Sequence, residues 1–164
     1  MPPQPEQHGF VAGTQLADPA TRSLAGFAFV EHYRQSRCGL LSYIAVAPSF
    51  RRRGVARELF TRARDSAELS SIGTGAPLRC VFAEIHDPHL AANANDVIDP
   101  SARVRAMRRL GGLRVPIRYV QPALSDAAGA SDRLRLVAFG APGENELDAG
   151  VICDFLRECY AALG

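Results

Sequence analysis

Apolar residues in the first fifty positions come in short runs set apart by turn chemistry. Residues 9–17 (GFVAGTQLA) and 24–33 (LAGFAFVEHY) read as two strands, and the DPATRS segment between them supplies the turn of a hairpin. A second turn, RQSRCG, leads into LLSYIAVAP, where Leu41, Tyr43 and Ala45 alternate with Ser42, Ile44 and Val46. Pro48 cannot donate to a ladder and stops this third strand of an antiparallel meander.

From Val55 the period changes. Val55, Leu59, Ala63 and Ala67 recur at steps of four, with Arg57, Glu58, Arg62, Arg64 and Asp65 on the other face, which predicts an amphipathic helix ending in SSIGTGAP. LRCVFAEI follows as a buried strand, and the strand–helix–strand series implies a crossover to a parallel neighbour. Residues 86–99 show no period and read as a long loop, of the kind that is often functional. Asp99 and Pro100 are the N-cap and first residue of a helix whose stripe is Val104, Met107 and Leu110, ended by Gly111 and Gly112. Strands are expected near 113–120 and 133–139, then a helix from near Glu144 with Leu147, Val151, Phe155, Cys159 and Leu163 at steps of four. The 164 residues suit one domain over 9–164, preceded by a disordered, proline-rich tail at 1–8.

Composition narrows the function classes. Nineteen basic against seventeen acidic residues leave a charge of +2, which argues against a general nucleic-acid surface. Lysine is absent, so every basic side chain except histidine is a guanidinium, a fork suited to phosphate and carboxylate. Cys38, Cys80, Cys153 and Cys159 have neither C-x-x-C pairing nor metal spacing and read as reduced thiols. No apolar run reaches membrane length and the amino terminus lacks a signal-peptide pattern, so a cytoplasmic protein without a membrane partner is expected.

The chemistry concentrates where the third strand hands over to the first helix, at Arg51-Arg52-Arg53-Gly54-Val55-Ala56. A helix start offers unpaired N–H groups at the positive end of its dipole; Gly54 permits close backbone approach, and the arginines add charge. A pyrophosphate would suit these groups. The segment resembles the Q/R-x-x-G-x-G/A signature of the GNAT superfamily of acetyl-CoA-dependent N-acetyltransferases, and the order of elements over residues 9–140 resembles the family core. The resemblance implies a mixed α/β (α+β) fold with a mostly antiparallel central sheet and flanking helices. It implies that the backbones of Ala45 and Val46 bind the pantetheine arm of acetyl-CoA and that Arg51 to Ala56 cradle its pyrophosphate. Arg52, Arg53 or Arg57 would stand near the 3′-phosphate. It also implies a general base at Glu84, the one carboxylate of the apolar VFAEI strand, with His86 and Asp87 as neighbouring substitutes.

Two departures accompany the resemblance. The family's tyrosine that protonates the leaving thiolate corresponds to Met107, which cannot donate a proton, and the motif's earlier asparagine falls near Pro100; Tyr119 and Tyr43 are alternatives for the acid. Family members also carry a strand and two helices before the first hairpin, where this sequence has about eight residues. That abbreviation means either a truncated start or an open acceptor side completed by a partner subunit, and the exposed edge it leaves favours a homodimer. The leading expectation is direct acetyl transfer from acetyl-CoA to an amine; the alternative is a degenerate member that binds acyl-CoA without turnover.

Overall fold

The computed structural model describes residues 11–90, 99–124, 129–141 and 146–163. The first three apolar runs form the antiparallel strands β1 (Val11–Ala17), β2 (Leu24–Tyr33) and β3 (Cys38–Val46). The Asp18 carboxylate accepts from the Ala20 N–H and the Thr21 hydroxyl, holding the first hairpin turn. A short 3-10 turn, Pro48–Phe50, follows β3 and leads to α1 (Val55–Gly73). Then come β4 (Cys80–His86), α2 (Pro100–Arg109), β5 (Leu113–Arg114), β6 (Leu134–Phe139) and α3 (Ala149–Leu163). The sheet order is β1-β2-β3-β4-β6-β5, and among these strands only β3 and β4 run parallel.

Period-two alternation splits the strands between two cores. On one face Leu59, Phe60, Ala63 and Ala67 of α1 and Met107 of α2 pack with Val30, Leu41, Val81, Ala83, Ile85 and Val137. On the other, Val151, Phe155 and Cys159 of α3 pack with Tyr33, Leu40, Phe82 and Leu136, and the Phe82 and Phe155 rings stack 4.2 Å apart. The α3 stripe therefore finds its apolar surface on its own sheet. Leu163, at its end, stays 39% exposed.

Several boundaries differ from the sequence reading for identifiable reasons. β5 is two residues long because Pro116 has no N–H for the ladder, and 115–121 becomes a loop. α1 continues through Gly73; Ser66 and Ser70 bond back to carbonyls four residues earlier without breaking it. α3 begins at Ala149, where the Asp148 carboxylate accepts from the Gly150 N–H at 2.6 Å; Leu147 precedes the helix, and Glu144 lies outside the described residues. The predicted tail at 1–8 and most of the loop 86–99 lie outside them as well. No described helix is long and apolar enough to cross a membrane.

Candidate functional site

β3 and β4 pair over only three rungs, Cys38 with Cys80, Gly39 with Val81 and Leu40 with Phe82. The cause of their separation lies in β3. Its register against β2 shifts so that Leu41 faces Val30 and Tyr43 faces Phe29, leaving Ser42 as an extra residue. Such a bulge bends the strand and strengthens its twist. It also reverses the alternation: Leu41 is 5% exposed and Tyr43 67%, while Ile44 and Val46 pack against the α1-side core. The expectation that Leu41, Tyr43 and Ala45 share one face is thus corrected. Beyond Leu40 the β3 edge facing β4 has no strand partner among the described residues, and Ala45 and Val46 lie on that open edge.

At the top of this gap the backbone is shaped by two left-handed residues, Arg52 with φ 62° and Gly54 with φ 81°. Gly54 is the N-cap of α1, and no side chain caps the helix start. A Cβ on Gly54 would meet nothing within 4 Å, so glycine is needed here for its conformation and leaves open space beside the exposed helix terminus. Val55 and Ala56 are half-buried, and the N–H groups of the helix's first turn have no intrahelical partner. The Arg51 Nε donates to the Val46 carbonyl at 3.4 Å, and the Arg53 guanidinium lies 5.6 Å from the Phe50 ring centroid. Arg57 donates to the Arg109 carbonyl at 2.9 Å, tying α1 to the end of α2. All four arginines are exposed. A diphosphate with an extended amide arm fits this surface: N–H donors and guanidinium forks at one end, an unpaired strand edge along the rest.

Glu84 projects to the α3 side of the sheet, opposite to Val81, Ala83 and Ile85 on the same strand. Two donors hold its carboxylate: the Tyr119 hydroxyl on one oxygen, and the Gln121 Nε2 on the other at 2.7 Å. Both come from the loop that Pro116 creates. Tyr119 is 3% exposed; burial, and then its bond to Glu84, push the phenol pKa well up. Nearby on β2, Glu31 accepts from the Ser42 hydroxyl at the bulge and from the Tyr33 hydroxyl. Sequence reasoning missed Gln121, Glu31 and Ser42, because contacts across 37 and 11 residues leave no local spacing.

The two substitutes for Glu84 are engaged elsewhere. Arg103 Nη1 lies 3.2 Å from His86 Nδ1, and Asp87 is ion-paired with Arg135. Burial raises the Asp87 pKa, but the His89 N–H and the Arg135 guanidinium outweigh it and hold the carboxyl below its usual range. Met107 is 7% exposed and forms, with Ile85, Val104 and Val137, the apolar wall of a cavity of about 250 Å³ under α2. Tyr43, the other candidate acid, is largely exposed, with its ring edge-on to that of Phe29.

The model of the GNAT acetyltransferase family matches residues 3–93. This chain belongs to the GNAT acetyltransferase family. Among solved structures it is similar to nourseothricin acetyltransferase, at 24% identity and a TM-score of 0.53, over 80% of this chain and 66% of that one. It is also similar to a protein of Bacteroides thetaiotaomicron described as a GNAT-family acetyltransferase, at 14% identity and a TM-score of 0.57, over 90% of this chain and 68% of that one. The chain thus spans about two thirds of the length of these structures, and at these identities the likeness bears on the fold. No curated protein sequence matches it significantly. The six-stranded, mostly antiparallel sheet with its flanking helices is the GNAT fold.

Proposed function

We propose that this GNAT protein transfers the acetyl group of acetyl-CoA to an amine by direct attack in a ternary complex. The observation that carries the reading is the gap between β3 and β4, opened by the Ser42 bulge and ending at the left-handed turn Arg52–Gly54. In this reading Ala45 and Val46 offer backbone groups to the pantetheine arm. Arg51, Arg52, Arg53, Gly54, Val55 and Ala56 hold the pyrophosphate, and Arg57 keeps free donors for the 3′-phosphate while one serves Arg109.

The amine enters from the face that carries Glu84. An aliphatic ammonium has a pKa of about 10.4 and must lose a proton before it attacks. Glu84, fixed by Tyr119 and Gln121, takes that proton directly or through water. Tyr119 orients the base; its buried hydroxyl is already donated to Glu84, which argues against the acid role considered for it. With Met107 in the family's acid position, the thiolate departs without a donor from that position; a thiol pKa of about 8.5 makes this a workable leaving group.

The test is thiol release from acetyl-CoA over a panel of amines, for the parent and for Glu84→Gln. Turnover lower by roughly 10²–10⁴ with unchanged coenzyme A affinity is expected of the variant. The buried Met107 favours a second reading, an acyl-CoA binder without turnover. Coenzyme A binding with no thiol release for any amine would establish that reading instead.

A further inference from the structure

The α3 face of the sheet carries a second carboxylate beside the gap. Alternation places Phe27, Phe29, Glu31 and Tyr33 of β2 on that face, opposite to Ala28 and Val30, and Tyr43 of β3 joins them, opposite to Ile44. The Glu31 carboxylate accepts from the Tyr33 hydroxyl at 3.2 Å and from the Ser42 hydroxyl at the bulge, as Glu84 accepts from Tyr119 and Gln121. All four donors are neutral, so among the described residues neither carboxylate has a cationic partner. Both are half-buried. Burial raises the pKa of the Cys159 thiol on α3 to about 11, the Tyr33 hydroxyl opposes it, and the charges of Glu84 and Glu31 both add to the rise. The fields of the two carboxylates therefore reach one point.

The register gives their spacing. Glu31 stands opposite Leu40, and Leu40 opposite Phe82. At about 4.8 Å per strand the β2 and β4 backbones are roughly 10 Å apart there, and Glu84 lies two residues, about 6.6 Å, farther toward the open end of the gap. The two glutamate backbones are thus roughly 12 Å apart, and their side chains shorten the span between the carboxylates. Phe29, opposite Tyr43, stands one same-face step nearer the open end than Glu31. Phe29 is 39% and Tyr43 67% exposed; their rings meet edge-on at 6.4 Å, and Phe27 meets Phe29 at 5.6 Å. Aromatic faces attract cations, so rings and carboxylates together make this surface complementary to positive charge at two places.

We infer that the amine acceptor is a diamine or longer polyamine: one ammonium is delivered to Glu84, and a second, several carbons away, is held by Glu31 beside the Phe29 and Tyr43 rings. The inference rests on the acetyl-transfer reading and names its substrate class. A monoamine answers the charge of Glu84 and leaves that of Glu31 without a counterion. In the transfer the first nitrogen attacks the thioester carbon, the C–N bond forms as the C–S bond breaks, its proton goes to Glu84, and the thiolate leaves on coenzyme A. The second nitrogen stays protonated, as a pKa of about 10.4 requires at neutral pH.

Thiol release from acetyl-CoA by the full chain tests this, with putrescine, cadaverine and spermidine set against butylamine and pentylamine. A kcat/KM roughly ten- to a hundredfold higher for the amines with more than one ammonium is expected, which is what one hydrogen-bonded charge supplies. Glu31→Gln, which keeps the shape of the side chain, is expected to remove most of that ratio. Tyr43→Leu is expected to lower it about two- to fivefold, the scale of an exposed cation–π contact. The ratio separates recognition from structure, because damage to the fold or to the base lowers both classes of amine alike. Equal kcat/KM for cadaverine and pentylamine in the parent, or an unchanged ratio in a folded Glu31→Gln, would overturn the inference and leave acetyl transfer standing. A dimer in solution that Tyr43→Leu dissociates would put a second copy of the chain on the aromatic rings and overturn it too. No thiol release with any amine would remove the transfer reading and the inference together.

Discussion

Tyr119 and Glu84 stand 35 residues apart and meet because Pro116 ends β5 after two residues and frees the following loop to fold back. The phenol contributes by position. Tyr119→Phe is expected to lower turnover about tenfold or more, the scale of one hydrogen bond to a charged group, and to displace the acid limb of the pH–rate profile while coenzyme A binding is unchanged. Turnover and pH profile equal to the parent's would show that the phenol does not position the base. His32 gives a second residue-scale expectation. It is 2% exposed with an unpartnered Nε2, and burial lowers its pKa, with the Arg34 charge adding to the effect and Glu158 opposing it. The unfolded chain then takes up a proton near pH 6.5 that the folded chain refuses. Stability is therefore fullest above pH 6.5 and declines as pH falls from there toward the lowered folded value. Thermal midpoints between pH 5 and 8 should show this slope, and His32→Phe should flatten it; an equal slope in the variant would assign it to another group.

At the scale of elements, two glycines separate conformation from crowding. Gly54 occupies a left-handed φ with open space around it, so Gly54→Ala is expected to cost about 1–2 kcal/mol of strain, and coenzyme A affinity with it, without a packing defect. Gly26 is the opposite case: a Cβ there would lie 2.5 Å from the Ala45 carbonyl and 2.9 Å from Leu59. Gly26→Ala should destabilise by about 1–3 kcal/mol through overpacking and shift β3 where the gap opens. Denaturant midpoints for the two variants check both; an undisturbed Gly26→Ala would mean the strands separate more easily than the packing implies. Much of this level was legible in the sequence. The Asp99-Pro100 start of α2 carries its signal locally, and Asp99 accepts from the N–H groups of Ser101 and Ala102 as such a cap should. The RRRGVA segment likewise announces a strand-to-helix turn. The Ser42 bulge was not legible, because LLSYIAV alternates cleanly and the extra residue shows only against β2. Nor was the clamp of Glu158 on the N–H groups of Gln35 and Ser36, which fixes α3 to the β2–β3 turn across more than a hundred residues.

Over the whole molecule, the sheet acts as a partition with two sides. α1 and α2 cover one face and frame the gap's phosphate end, and α3 covers the part of the other face that carries Glu84's neighbours. The formal charge of +2 supplies no broad anion attraction, so affinity for coenzyme A must come from the local cradle. Calorimetric titration of coenzyme A into the full chain, beside an Arg51→Ala, Gly54→Val double variant, tests this claim most directly. One site per chain is expected, with a dissociation constant within the range of about 1 μM to 1 mM usual for enzyme substrates, and clear weakening in a variant that still folds. No binding by the parent at millimolar coenzyme A, or equal affinity in the folded variant, would contradict it.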